Sequence, residues 1–334
     1  MTQRQLAGRA VNPVGLGCMN LSHAYGHPPS PEDGVKLLHK AIELGVDHFD
    51  TAALYGFGKN EELVGPALKP YRDNILLASK CGMQGVDGKR VIDGRPDALR
   101  ATLEDSLRRL QTDRIDLYYL HRYDKLNDVP IEDSVGELAR MVESGKVGAI
   151  GLSEVSAATL LKAHKVHPIA AVQSEYSLWS RNAEIGVIEA CADIGAAFVA
   201  FSPVARGFLA SSDLDPENFA EKDIRRGMPR FQSPHFEENA KLLPAFRQIA
   251  KEADCTPAQL AIAWVLQKGP HMHAIPGTTS LAHLEENMAA DGVSLSADAI
   301  AKVEDLINQN TVSGPRYPAG TQAEIDTEEF SDAA

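Results

Sequence analysis

The feature that most constrains this chain is an alternation. Short apolar segments are each followed by a helical pattern, eight times over. Val11–Gly17 precedes a helix near Pro31–Leu44, Asp47–Asp50 one near Asn60–Leu68, Asn74–Ser79 one at Pro96–Leu110, and Ile115–Leu120 one at Ile131–Ser144. Val147–Gly151 then precedes Ala157–His164, and Ala170–Gln173 precedes Asn182–Asp193. Ala197–Phe201 is followed by a long loop and a helix at Glu237–Glu252, and His273–Ile275 precedes Leu281–Met288. A spacing of about 25–40 residues is that of a βα unit. Strands separated by helices run parallel, and eight such units predict closure into a single α/β domain, a (β/α)8 TIM barrel. Runs such as ILLA, IDLYYL and AAFVAF are almost continuously apolar, as strands buried on both faces must be.

The helix ends agree with this frame. Ser30-Pro31-Glu32-Asp33 combines a capping residue, a first-turn proline and first-turn acids, and Thr256-Pro257 opens Ala258–Gln267 in the same way. Gly45, Gly145 and Gly195 stand where helices should end. Two stretches break the rhythm. Arg206–His235, after the seventh strand, is too long for an ordinary connection and is expected to be either functional or disordered. Beyond Asn310 the chain turns acidic (Glu324, Asp326, Glu328, Glu329, Asp332). The expected division is therefore a barrel over 1–310 and a mobile acidic tail over 311–334.

Charge and cysteines narrow the function. A formal charge of −13, from 46 acids and 33 bases, gives nucleic-acid binding no electrostatic support. Cys18, Cys81, Cys191 and Cys255 form no C-x-x-C pair, which favours reduced thiols over disulfides or zinc. MTQRQLAGRAV lacks the apolar region of a signal peptide, and no window approaches ~18 uninterrupted apolar residues. A cytoplasmic protein with no membrane partner is expected; whether it is a monomer or a homo-oligomer is left open.

In such a barrel the active site lies at the C-terminal ends of the strands. Asp50 ends the second strand, Tyr55 follows in its loop, Lys80 ends the third, and His121 ends the fourth. Reducing a carbonyl with hydride leaves an alkoxide that needs a proton. Tyrosine can supply it, but its ordinary pKa is ~10. A neighbouring ammonium, Lys80, would lower it towards working pH, with Asp50 holding the ammonium and His121 orienting the carbonyl oxygen. Each residue alone has a plainer reading, as a turn cap, a solvated lysine, a packing tyrosine or a structural histidine. All four at consecutive strand ends are harder to ascribe to chance.

The stretches DHFDTAALYGFGKNEELVG, ILLASK, IDLYYLHR, KVGAIGLSEVS, VQSEYSLW, AFSPVARGFL and IPGTTSLAHLEEN, in this order, resemble the aldo-keto reductase family, in particular its bacterial and fungal general-purpose and pyridoxal-reductase-like branch. The resemblance implies a catalytic tetrad of Asp50, Tyr55, Lys80 and His121, and NADP(H) as cofactor. It implies Gly17, Cys18 and Met19 beside the cofactor, Ser153 and Gln173 on the carboxamide, and Phe201 stacked on the nicotinamide. Ser202, Pro203, Val204 and Gly207 would wrap the pyrophosphate. Gly277, Thr278 and Thr279 would meet the adenosine-side phosphate, with His283 nearby and Glu286 and Asn287 at the adenine. Tyr25, Phe57 and Trp179 are substrate-pocket candidates, with core packing an equal alternative for Trp179.

Two departures stand out. Many relatives have Asn where this chain has Glu154, and a carboxylate cannot donate to a carboxamide oxygen. No Lys or Arg stands in IPGTTSLAHLEEN, where relatives that prefer NADPH usually place one. Hydroxyls, helix-start N–H groups and His283 bind a phosphate more weakly than a bidentate arginine, so NAD(H) or dual use is the alternative. Gly15-Leu16-Gly17 and Gly56-Phe57-Gly58 lack the third glycine of a Rossmann fingerprint, and Gly88-Lys89 lacks the hydroxyl residue of a P-loop. His271-Met272-His273 falls at the start of the eighth strand, the wrong face for a catalytic metal. A reductase is thus expected. A nicotinamide-binding sensor or accessory protein with little turnover is the alternative, and a metal-dependent lyase or hydrolase a more distant one.

Overall fold

In a computed structural model, which describes residues 3–210 and 214–330, eight parallel strands form one sheet in strict sequential order. We number them β1 (Leu16–Gly17), β2 (His48–Asp50), β3 (Leu76–Cys81), β4 (Ile115–Leu120), β5 (Val147–Ser153), β6 (Ile169–Glu175), β7 (Ala197–Phe201) and β8 (Met272–Ile275). A parallel bridge between Val14 and Ala274 joins the last strand to the first, reinforced by Gly15 N–H donating to the Ala274 carbonyl at 2.9 Å. The fold is the expected α/β barrel. Helices at Pro96–Leu110, Ala157–His164 and Leu281–Met288 have the expected bounds.

The two-residue period of a strand sorts its side chains into two cores. Leu76, Ala78, Leu117, Tyr119, Ala171, Val199 and Ile275 fill the lumen. Leu77, Cys81, Tyr118, Leu120, Val172, Phe198 and Ala200 face the helices. Gly151 is needed inside: a Cβ there would come within 2.3 Å of the Tyr119 ring.

Several elements differ from expectation. The first barrel strand is only Leu16–Gly17. Val11 belongs to an antiparallel hairpin, Arg4–Leu6 with Arg9–Val11, which plugs the lumen with Leu6 and Val11. Pro13 lacks a ladder donor, and Asn12 Oδ1 accepts from Val14 N–H, so the chain turns between hairpin and barrel. A second hairpin, Met83–Val86 with Lys89–Ile92, follows β3. Its turn is Asp87-Gly88, both with positive φ, a standard two-residue hairpin signal. The helix expected at Glu237–Glu252 is two, His235–Ala240 and Leu243–Glu252, because Pro244 has no N–H to continue the first into the second.

The loop after β7 carries short 3-10 turns at Ala205–Gly207, Pro216–Asn218, Ile224–Gly227 and Pro229–Phe231. Residues 211–213 of it, and 331–334 of the tail including Asp332, lie outside the described residues. The remainder of the expected mobile tail packs on the barrel. Tyr317 and Ile325 are buried, and Ala319–Glu324 is helical. Its acids find donors: Asp326 Oδ2 accepts from Ser156 Oγ at 3.1 Å, and Glu328 Oε1 accepts from Ala157 N–H at 2.7 Å. Both acids thus sit at the positive end of the helix Ala157–His164. No helix among the described residues is long and apolar enough to cross a membrane.

Candidate active site

Strand parity aims the reactive groups inward. Lys80 continues the lumen row Leu76–Ala78, and His121 continues Leu117–Tyr119. Asp50 ends β2. Tyr55 opens a 3-10 turn, its N–H donating to the Ala52 carbonyl at 3.0 Å. That loop is anchored from beneath. Asn60, fully buried, accepts from Thr51 Oγ1 (2.6 Å) and donates to the Cys18 carbonyl (2.8 Å). Glu61, also buried, accepts from Ser79 Oγ (2.6 Å) and pairs with Arg109.

The four expected groups meet. Lys80 Nζ donates to an Asp50 carboxylate oxygen, to the Thr51 carbonyl at 2.9 Å and to Tyr55 Oη at 3.2 Å. The Tyr55 and His121 rings lie edge to face, 5.8 Å between centroids. Lys80 has no solvent exposure. Burial works against its charge, but Asp50, Tyr55 and the hydrogen bonds prevail, so the ammonium holds its proton more firmly than an ordinary lysine. Burial raises the Tyr55 phenol. Lys80 opposes this, as expected, without reversing it, so the net shift is upward rather than the anticipated lowering. His121 is held well below the usual imidazole range by burial and by the charges of Arg122 and Lys80. Near neutrality the site thus presents a protonated phenol, an ammonium and a neutral imidazole.

These groups sit in a cavity of about 810 Å³. Its wall takes Asp50, Tyr55 and His121 at one part, then Ser153, Gln173 and Phe201, then Ser202, Pro203, Val204 and Gly207. Gly17, Met19, Gly277, Thr278, Thr279, His283, Glu286 and Asn287 also line it. Tyr25 lies on the wall, its hydroxyl accepting from Arg206 at 3.1 Å. Cys18 does not line the cavity: fully buried in the outer core, it directs its Sγ at the Leu16 carbonyl. Phe57 is 55% exposed and packs against Gly85 of the second hairpin, because the left-handed backbone at Gly56 and Phe57 swings the side chain out of the mouth. Trp179 stacks on Phe208 at 4.5 Å, under Arg230, as core packing. Gln173, on the cavity wall, also donates from Nε2 to Asp50 Oδ2 at 2.7 Å and so orients that carboxylate. Glu154 is turned away from the cavity, accepting from Glu175 N–H and pairing with Arg316 from the tail. His271 and His273 lie at the foot of the barrel, facing the Ile188 and Gln5 carbonyls.

Several wall residues carry no sequence signal of their own. His23 stands 5.5 Å from the Tyr55 ring, and Leu54, Met83, Arg90 and Arg122 line the same cavity. Arg206, in the VARGFL stretch, reaches Glu175 (2.6 Å) and Tyr317 Oη (3.0 Å). Glu175 is held at about 2; its burial is overcome by Arg206 and Arg316. Of these, only Arg122 was visible at a strand end, directly after His121.

Comparison with known proteins agrees with this geometry. The pattern of the Aldo/keto reductase family matches residues 13–308. The chain is 40% identical over 330 residues to probable aldo-keto reductase 1 of Glycine max, covering 96% of this chain and 94% of that one. The glycerol dehydrogenase AKR11B4 of Gluconobacter oxydans superposes with a TM-score of 0.83 at 30% identity, over 95% of this chain and 98% of that one. An aldo/keto reductase of Klebsiella pneumoniae in complex with NADP and acetate superposes with a TM-score of 0.71 at 25% identity, over 98% and 99%.

Proposed function

The chain belongs to the aldo/keto reductase family, whose members are nicotinamide-dependent oxidoreductases of small carbonyl compounds, and from that premise we propose that it is an NADP(H)-dependent reductase of aldehydes and ketones, pyridoxal among them, with Tyr55 as proton donor. The observation that carries the reading is the 3.2 Å contact between Lys80 Nζ and Tyr55 Oη on the wall of a cavity large enough for cofactor and substrate.

The wall fits a nicotinamide dinucleotide. Ser153 offers a hydroxyl for a carboxamide and Phe201 a ring face. Arg206 and Arg225 on the stretch after β7 are paired with Glu175 and Asp223, and they line the cavity, where guanidinium N–H groups suit a pyrophosphate. Thr278, Thr279 and His283 offer hydroxyls and an imidazole for a 2′-phosphate. When bound, the reduced cofactor supplies hydride to the carbonyl carbon. Tyr55 Oη gives its proton to the carbonyl oxygen as negative charge develops there. Lys80 stabilises the phenolate left behind, Asp50 balances Lys80, and Gln173 orients Asp50. The neutral His121 can hydrogen-bond the same oxygen, fixing the carbonyl for attack.

The expected result is oxidation of NADPH in the presence of 4-nitrobenzaldehyde or pyridoxal. Tyr55→Phe should lower turnover by roughly 10²–10⁴-fold while cofactor affinity, read by intrinsic fluorescence, is kept. Full activity in Tyr55→Phe would refute the assignment. The same titration with NADH settles the cofactor preference, and NADPH binding without turnover on any carbonyl would instead identify a sensor.

A further inference from the structure

Four arginines line the cavity, and three already have carboxylates. Arg90 pairs with Glu324 (2.6 Å), Arg206 with Glu175 (2.6 Å) and Arg225 with Asp223 (2.7 Å). Arg122 has no carboxylate partner among the described residues. It is 8% exposed. Its Nη1 donates to the His121 carbonyl (2.7 Å) and, at 3.4 Å, to Ser153 Oγ; its Nε is buried with no hydrogen-bond partner. On the same wall the Nδ1 atoms of His23 and His121 are also buried and unpartnered. A guanidinium cannot shed its proton, and a buried cation without a counter-ion is costly, so such a group persists where an anion completes it.

We infer that Arg122 receives a carboxylate carried by the substrate, so that the enzyme favours carbonyl compounds that bear an acid group over neutral ones such as pyridoxal, while Tyr55 and His121 address the carbonyl oxygen. The inference rests on the reductase reading above and specifies its substrate class. Position favours the substrate over the cofactor as the source of the anion. Arg122 follows β4, whereas the turn assigned to the pyrophosphate follows β7, with β5 and β6 between them. Leu54 and Met83, which line the same cavity, are apolar and suit the organic body of an aldehyde. The carboxylate can take the free Nε–H together with an adjacent Nη, the bidentate geometry that distinguishes arginine from lysine.

The test compares 4-carboxybenzaldehyde with 4-nitrobenzaldehyde, which are close in shape and differ in charge. The readout is the ratio of their kcat/KM values in wild type, Arg122→Gln and Arg122→Lys, with NADPH affinity measured alongside. Arg122→Gln should lower the carboxy-over-nitro ratio by about tenfold or more, mainly through KM for the acid, and Arg122→Lys should regain part of it. An unchanged ratio, or an equal loss on both aldehydes with weakened NADPH binding, overturns the inference. Failure of the wild type to reduce either aldehyde would count against the reductase reading instead. In that case benzoate binding by calorimetry still decides the anion site: Arg122→Gln should raise the benzoate Kd about tenfold, and an unaltered Kd rejects the site.

Discussion

Lys80 shows how one residue can couple stability to the proposed chemistry. It is fully buried, and its donors go to Asp50, the Thr51 carbonyl and Tyr55. Lys80→Met removes the cation but leaves Asp50 buried with Gln173 as its remaining hydrogen-bond donor. An uncompensated buried charge costs about 3–5 kcal/mol, which urea unfolding would measure. The same variant should lose turnover by about 100-fold or more, since Tyr55 then has no ammonium to stabilise its phenolate. The types and strand-end positions of Asp50, Lys80 and His121 were legible because strand parity and barrel topology are written in the local pattern. The direction of the Tyr55 shift was not, because it depends on how completely the phenol is buried, which no local pattern encodes.

At the level of elements, the tail and the β7 loop both line the cavity. The family resemblance leads to an expectation of Asn where Glu154 stands, yet Asn there would leave Arg316 with one carboxylate instead of two. Arg316 is 8% exposed and held by Glu154 and Glu175 together. Glu154→Asn, although it approaches the family pattern, should therefore destabilise the protein by about 2–4 kcal/mol, seen as a drop in Tm, since Glu175 remains as partial compensation. The β7 loop is tied to the opposite rim: Ile224 N–H donates to the Ala24 carbonyl at 2.9 Å, and the Arg225 guanidinium lies 4.9 Å from the Tyr25 ring. If this segment covers bound cofactor, NADPH should slow tryptic cleavage after Arg226; an unaltered rate would mean that it is simply a surface loop. Neither contact could be read from sequence. The acidic run of the tail looked solvated because its donors, on Ser156 and Ala157, lie about 170 residues away.

For the whole molecule, buried ionisable groups set the acid limit. His48 on β2 and His273 on β8, on either side of β1 at the foot of the barrel, are pushed down to about 3, chiefly by burial. Each stays neutral when folded but takes up a proton when unfolded below about pH 6.5, so stability is complete above that value and falls as pH drops towards 3. The slope is about 1.4 kcal/mol per pH unit for each histidine. Glu175, held at about 2, adds a loss in the same direction between about pH 4.5 and 2. Chemical unfolding at pH 7, 6, 5 and 4 should show stability falling throughout, and His273→Gln should flatten the upper part of the profile.

What the sequence by itself determined is the barrel and the meeting of its reactive side chains. Both follow from short-range rules: period-two burial in strands, helical crossovers of one hand, and reactive groups placed at strand ends. What only the tertiary structure decided is which candidates face the cavity. Cys18, Phe57 and Trp179 turn away from it, while His23, Arg122 and Arg206 join it. Those outcomes depend on backbone handedness at single turns and on partners far along the chain. Burial and long-range pairing are properties of the closed barrel, and no window of sequence contains them.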